Sequence, residues 1–141
     1  HPGALFLLNP ESFSETSSLK RFWPGWQGMI KSVSATPGLG SQERLDIEQG
    51  LNANAQRMLF RRGAAALAKK DYKFSREAAA IISNHFRNNL RSTVLGGLTG
   101  ACMKLPLLQA FYSSAYRLSE RILLYKRIAL RRKYGHFSRF L

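Results

Sequence analysis

Apolar residues recur at helical spacing most clearly near the C-terminal end of the chain. They follow one another every three or four residues at Leu108, Phe111, Ala115, Leu118, Ile122, Tyr125 and Ala129. This period places them on one face of an α-helix. Pro106 suits a first helical position and Gly135 suits a stop, so we predict a helix from Pro106 to Lys133.

Two further helices are predicted upstream. The first runs from about Gln42 to Lys69, with Ser41 as its N-cap and acidic residues in or near its first turn. The second runs from about Arg76 to Leu90 and is capped by Ser75. The Gly-rich stretch 96–104 is interpreted as a connection between helices. Since no stretch shows strand-type alternation, the pattern predicts an all-α fold, an antiparallel three-helix bundle.

The predicted bundle occupies residues 41–134, between an N-terminal arm (1–40) and a basic C-terminal tail (135–141). Prolines and glycines interrupt the arm, so we expect it to be irregular. Its aromatic group, Phe22, Trp23 and Trp26, either packs on the protein's own core or anchors the chain in a partner's groove. The sequence pattern does not distinguish packing on the core from anchoring in a partner.

The charge of the chain is strongly positive and unevenly spread. The formal net charge is +14, and residues 51–141 carry 18 cations against 3 anions, a net charge of +15. Such a balance indicates an anionic partner: a nucleic acid, a membrane surface or an acidic protein. The last part of the chain is either a solvated basic helix end or a segment that docks on RNA phosphate or acidic protein; its cations are Lys126, Arg127, Arg131, Arg132, Lys133 and Arg139.

Other kinds of chemistry find little support in the sequence. The single cysteine, Cys102, excludes an intrachain disulfide and a cysteine-based metal site, and it suits a reducing compartment. The most apolar window, 93–112, is interrupted by Lys104 and Pro106, so we expect no membrane-spanning segment. The histidines lack metal-ligand spacing and acidic residues are scarce after position 50. We therefore expect neither an enzyme, nor a metal site, nor a cofactor of the protein's own.

A run of small residues in the first predicted helix has two explanations. It consists of Gly63, Ala64, Ala65, Ala66 and Ala68. Small side chains permit close helix packing, or they leave a slot for a long apolar ligand. In the second case the neighbouring cations would meet a phosphate or an acidic partner at the mouth of the slot; they are Arg57, Arg61, Arg62, Lys69 and Lys70.

The segment 59–89, "LFRRGAAALAKKDYKFSREAAAIISNHFRNN", resembles the LYR-motif proteins of mitochondria. Leu59-Phe60-Arg61 stands at the family's Leu-Tyr-Arg motif, "DYKFSR" at its aromatic loop, and 86–89 at its Phe-Arg-x-Asn pattern. Phe60 departs from the motif tyrosine. Lys70 and Asp71 stand where the family has a phenylalanine, and Leu90 stands where it often has a lysine.

The resemblance implies binding to mitochondrial acyl carrier protein, which inserts an acyl chain on 4'-phosphopantetheine into a three-helix bundle. By motif the binding residues are Leu59, Phe60, Arg61, Phe86 and Arg87. From charge and position we add Arg57, Arg62, Lys69 and Arg91. The acyl-chain tunnel is expected at Gly63, Ala64, Ala66, Ile82, Phe86 and Phe111.

The sequence hypothesis is therefore a non-catalytic adapter in mitochondria, in the matrix or on the matrix side of the inner membrane. It would hold the carrier protein against other subunits of a large complex, by family analogy respiratory complex I. The alternative is an RNA-binding mitochondrial ribosomal protein or ribosome assembly factor, in which the basic segment neutralises ribosomal RNA phosphates.

Overall fold

The computed structural model describes residues 19–86 and 90–134, apart from the side chains of 20–22, 127 and 130–134. These residues form five α-helices and no strand: α1 (Leu19–Ser34), α2 (Ser41–Ala68), α3 (Tyr72–His85), α4 (Leu90–Lys104) and α5 (Pro106–Tyr134). The all-α prediction is confirmed, with two helices beyond the three predicted. The tail 135–141 lies outside the described residues. The chain divides into two compact units, residues 1–55 and 56–141.

The prediction of an irregular arm was wrong for residues 19–34, which form α1. Leu19, Trp23, Trp26, Ile30 and Val33 repeat every three or four residues, and Leu19 and Trp26 are buried. Pro24 lies inside the helix on its exposed side. A proline there costs about 3 kcal/mol, and burial of two large side chains on the other face offsets that cost. Because Trp26 is buried, it is not an exposed anchor for a partner.

The start of α2 lies one residue from its predicted place, and its cap differs. Gly40 is the N-cap, since its carbonyl accepts the Arg44 N–H at 3.0 Å. Glu43 reaches back to accept the Gly40 N–H at 3.0 Å. Ser41 is therefore the first helical residue rather than the cap. The Glu43 carboxylate satisfies an amide that would otherwise lack an intrahelical partner.

A tight turn ends α2 and begins α3. Lys70 adopts the left-handed conformation with φ 65°, and its N–H donates to the Leu67 carbonyl at 3.0 Å. The Asp71 N–H donates to the Ala66 carbonyl at 2.8 Å, which completes a Schellman motif. The Asp71 carboxylate then accepts the Phe74 N–H at 3.0 Å and caps α3. Helix α3 thus begins at Tyr72, four residues before the predicted start, and it ends at His85.

The predicted cap of α3, Ser75, is instead buried against α4. Its hydroxyl lies 2.7 Å from the Thr99 hydroxyl, which in turn donates to the Leu95 carbonyl at 2.7 Å. Both hydroxyls are fully buried. Ser75 therefore depends on Thr99 for its partner, because a buried hydroxyl without one costs about 1–3 kcal/mol.

The prediction that residues 96–104 form a Gly-rich connection was wrong, because they belong to α4. Ser92, Leu95, Thr99 and Cys102 recur every three or four residues, and all four are buried. Each helical glycine costs about 1 kcal/mol relative to alanine. Burial of Leu95 alone contributes about 1.5–3 kcal/mol, so packing against α3 and α5 decides the conformation.

Helix α5 begins at Pro106 as predicted, and its polar side chains contact the end of α2. Gln109 Nε2 donates to the Leu67 carbonyl at 2.8 Å, and the Ser113 hydroxyl donates to the Ala68 carbonyl at 2.8 Å. The Tyr112 hydroxyl donates to the Ala64 carbonyl at 3.3 Å. Ser113 thus satisfies the Ala68 carbonyl, which has no intrahelical donor. Gln109 and Tyr112 add a second donor to carbonyls that the turn and the helix already pair.

At Gly63, α2 packs directly against side chains of α3 and α4. A Cβ added there would lie 2.5 Å from Leu95 Cδ2 and 3.1 Å from Ala78 Cβ. Both distances are shorter than normal carbon contacts. Close packing therefore explains the glycine at the head of the small-residue run.

We predict that Gly63→Ala destabilises the protein although alanine favours helix more than glycine does. Overpacking a filled site costs about 1–3 kcal/mol and the gain in helix propensity is about 1 kcal/mol. The matched control is Gly97→Ala in α4, where a Cβ meets nothing within 4 Å, so stability should rise by up to about 1 kcal/mol. Urea denaturation measures both changes. Equal stabilisation by the two substitutions would contradict the packing at Gly63.

Candidate functional site: a basic cleft between α2 and α5

An open cleft of about 630 Å³ lies between the C-terminal end of α2 and the first half of α5. Small residues form part of it, namely Ala65, Ala68 and Ala110. Four cations line it, namely Lys69, Lys70, Arg117 and Arg121, together with one carboxylate, Glu120. Hydroxyl groups of Ser113, Ser114 and Tyr116 complete the lining. An apolar floor beside excess positive charge suits a ligand that is both anionic and partly apolar.

The hydrogen bonds of α5 explain why the cleft forms here. Gln109 Nε2 also donates to the Ser113 hydroxyl at 3.0 Å, so the two side chains that hold α5 on α2 are joined to each other. Arg117 Nε donates to the Ser113 carbonyl at 3.2 Å, which orients the guanidinium along its own helix. The alanines of α2 let α5 come close enough for these short polar contacts.

Two tyrosines of α5 lie beside the cleft. The rings of Tyr112 and Tyr116 stack with centroids 6.3 Å apart. Burial is the main cause that raises the pKa of Tyr116; the Glu120 carboxylate raises it further, and the positive charge of Arg61 lowers it. Burial also raises the pKa of Tyr112, with a smaller contribution from Tyr116. Arg61 therefore lies near enough to Tyr116 to act on its charge.

The three motif residues of α2 differ in exposure. Leu59 is fully buried, Phe60 is half-buried and Arg61 is exposed. Leucine thus belongs to the core, whereas the arginine is presented to solvent beside the cleft. Arg57, one turn earlier, is also exposed. Residues four apart share a helix face, so Arg57 and Arg61 lie in one row along α2 with Ala65 and Lys69.

The other predicted binding residues do not all join this surface. Arg62 is half-buried, and desolvation lowers its pKa. Arg91 Nη1 donates to Gln56 Oε1 at 3.1 Å. Lys69 lies thirteen residues further along the chain from Gln56, about 20 Å at the helical rise. The predicted cations therefore do not converge on one mouth. Arg87 lies outside the described residues.

The predicted acyl-chain tunnel is not a single interior space. Ile82 is fully buried, whereas Phe111 is 72% exposed, so the two cannot line one channel. Gly63 is packed against Leu95, which leaves no room beside it. Ala64 and Ala66 are half-buried on α2, and Phe86 is the half-buried C-cap of α3. Phe111 lies on the exposed apolar stripe of α5.

Sequence analysis missed the contribution of α5 to the cleft. Ser113, Arg117 and Arg121 are four residues apart and share a face with Tyr116. That polar periodicity is present in the sequence, beside the stronger apolar stripe of the same helix.

In the part of the chain that the structure describes, no group of three or more His, Cys, Asp or Glu side chains could hold a metal ion. No helix within residues 19–86 and 90–134 combines the length and apolarity that crossing a membrane requires.

No protein-family model, curated protein or solved structure matches this chain.

We predict opposite effects of two substitutions on the ionisation of Tyr116. Arg61→Ala removes a cation that stabilises the phenolate, so the pKa of Tyr116 should rise further. Glu120→Gln removes an anion that destabilises it, so the pKa should fall. A pH titration of the assigned Tyr116 ring signals by NMR measures both. Arg76→Ala on α3 is the control; a Tyr116 shift unaffected by Arg61→Ala would show that Arg61 lies elsewhere.

Proposed function

We propose that this protein is a non-catalytic LYR-type adapter that binds acylated acyl carrier protein. The observation that carries the proposal is the exposed Arg61 of the Leu-Phe-Arg motif beside a cleft that combines alanines with four cations. The ligand that the resemblance implies, an acyl chain on phosphopantetheine, has an anionic phosphate and a long apolar chain. The cleft offers cations to the phosphate and alanine methyl groups to the apolar chain.

The proposal places each part of that ligand against residues of matching chemistry. Arg117, Arg121 and Lys69 would hold the phosphate, because guanidinium and ammonium groups form charge-assisted hydrogen bonds to phosphate oxygens. The acyl chain would lie on Ala65, Ala68 and Ala110, each buried methylene contributing about 0.8 kcal/mol. Arg57 and Arg61 would face carboxylates of the carrier protein. This position differs from the interior tunnel expected from the resemblance.

The architecture of the adapter forms part of the same proposal. Helix α2 carries the Leu-Phe-Arg motif, the second motif begins at Phe86, the C-cap of α3, and α5 supplies the second wall of the cleft. These three would correspond to the three-helix bundle of the LYR-type proteins, with α4 packed as an additional helix against α3 and α5. By family analogy the adapter would work in mitochondria, within a larger assembly such as respiratory complex I.

The test compares Arg61→Glu with Arg76→Glu in binding to purified carrier protein. Both substitutions reverse the charge at one exposed arginine, but Arg76 lies on α3 and does not line the cleft. We expect Arg61→Glu to weaken binding of the acylated carrier by about tenfold or more, equivalent to about 1.4 kcal/mol, and Arg76→Glu to have little effect. Isothermal titration calorimetry with apo, phosphopantetheinylated and acylated carrier measures each affinity.

Three results would contradict the adapter. They are absence of binding to any carrier form, equal binding of the apo and acylated forms, and equal weakening by the two arginine variants. The alternative, RNA binding through the cleft cations, predicts a different signature. Affinity for single-stranded RNA would then fall with salt by a log–log slope of about −0.7 per phosphate contact, irrespective of the carrier.

A further inference from the structure

The apolar stripe that predicted α5 begins at the half-buried Leu108, and from Phe111 onwards it faces away from the rest of the described unit. This exposed part comprises Phe111, Ala115, Leu118, Ile122, Tyr125 and Ala129, which we call the α5 seam. All six are exposed, Phe111 by 72%, Leu118 by 60% and Tyr125 by 73%. The opposite face carries the buried Gln109 and Ser113 that bind α2.

The spacing of the α5 seam is that of a coiled-coil helix. Its residues alternate steps of four and three, which is the a/d repeat by which one helix packs against another. From Phe111 to Ala129 the seam runs about 27 Å along the helix. A contiguous exposed apolar surface of this length marks a contact with another molecule rather than scattered surface residues.

The charges that border the α5 seam indicate what covers it. Among the flanking g and e positions of the described seam, Arg121 and Lys126 are the charged ones, and both are exposed. The one acidic residue of α5, Glu120, lies on the far side, where it hydrogen-bonds Tyr116. Flanking charges of a coiled coil select partner and orientation. The two cations beside the seam therefore favour a partner helix with acidic residues at its own flanking positions.

A second copy of the chain would meet repulsion on the same seam. In a parallel pair Arg121 of one helix faces Lys126 of the other, because position g faces position e of the next heptad. In an antiparallel pair position g faces g and e faces e, so a register centred on Arg121 or on Lys126 brings that cation against its own copy. Both arrangements bring like charges together, so self-association through the α5 seam is disfavoured.

We propose that the α5 seam binds an amphipathic helix of a partner protein whose flanking positions are acidic. Apolar side chains of that helix pack between Phe111, Leu118 and Ile122. Its carboxylates pair with Arg121 and Lys126. The α5 seam lies on a different side of α5 from Tyr116 and Arg61, and of its two flanking cations Arg121 also lines the cleft. The proposal rests on the seam and on Lys126 as well, so it does not depend on carrier binding.

The test uses the full chain and a labelled peptide of about three heptads with Ile at a, Leu at d and Glu at e and g. A second peptide carries Lys at e and g. Fluorescence anisotropy should show the Glu peptide binding at least about tenfold more tightly than the Lys peptide, and binding should weaken with salt. Leu118→Glu should weaken binding of the Glu peptide by about tenfold or more.

The matched control is Leu124→Glu, which adds the same charge to an equally exposed leucine. Leu124 lies roughly 130° round the helix from the α5 seam, so its substitution should change affinity little. Circular dichroism should show that both variants remain folded.

Four outcomes would overturn the proposal. The first is no binding of the Glu peptide, and the second is equal binding of both peptides or equal weakening by the two variants. The third is a dimer of the full chain in sedimentation that Leu118→Glu abolishes, which would assign the seam to a second copy. The fourth is binding that appears only after residues 1–18 are deleted, which would assign it to the chain's own N-terminal segment.

Discussion

The carbonyl groups at the C-terminal end of α2 impose the constraint on which the described C-terminal unit depends. A helix leaves its last carbonyls without intrahelical donors, and leaving such groups buried and unpaired is costly. Here the turn through Lys70 and Asp71 supplies donors to the carbonyls of Leu67 and Ala66, and the Ser113 hydroxyl of α5 supplies one to Ala68. Gln109 and Tyr112 of α5 add a second donor to the carbonyls of Leu67 and Ala64. Since these donors share one side of α5, satisfying the carbonyls fixes the rotation of that helix.

The fixed rotation of α5 determines which chemistry each of its sides presents. The side towards α2 contributes hydroxyls and arginines to the cleft, while the apolar a/d stripe is left exposed. The small residues of α2 serve the same arrangement. Gly63 permits contact with Leu95, and the alanines that follow admit the polar side chains of α5 to the α2 backbone. The lysines after the run lie at the cleft because the turn places them there.

Local signals in the sequence were sufficient for some elements and insufficient for others. The limits of α2, to within a residue, and the start of α5 at Pro106 followed from local signals that act within a few residues, although the cap of α2 is Gly40 rather than Ser41. Helices α1 and α4 were missed because Pro24 and the glycines of 96–100 oppose helix locally, and only burial of Trp26 and Leu95 overrides them. Burial depends on residues distant in sequence, so local propensity could not show it.

In the candidate site, too, some features could be predicted from the sequence and others could not. That Arg61 would be solvent-exposed near a basic surface could be inferred from its motif and from the charge of the segment. The partners of Arg91 and the surroundings of Gly63 could not, because they depend on α2, α3 and α4 meeting in space. Phe111 was assigned to the interior because a heptad stripe usually faces a core. In α5 the polar face that hydrogen-bonds the α2 backbone is turned towards the protein, so the apolar stripe is exposed.

The rotation of α5 can be measured directly with single thiols on its two sides. Ser113→Cys places a thiol on the side that contacts α2, where Ser113 is 8% exposed, and Leu118→Cys places one on the exposed stripe. Cys102 is buried and should react slowly in both proteins. Our account predicts that the thiol at 118 reacts with a water-soluble disulfide at least about tenfold faster than the thiol at 113. Faster reaction at 113 would mean that α5 buries its apolar stripe, and the cleft described above would not form.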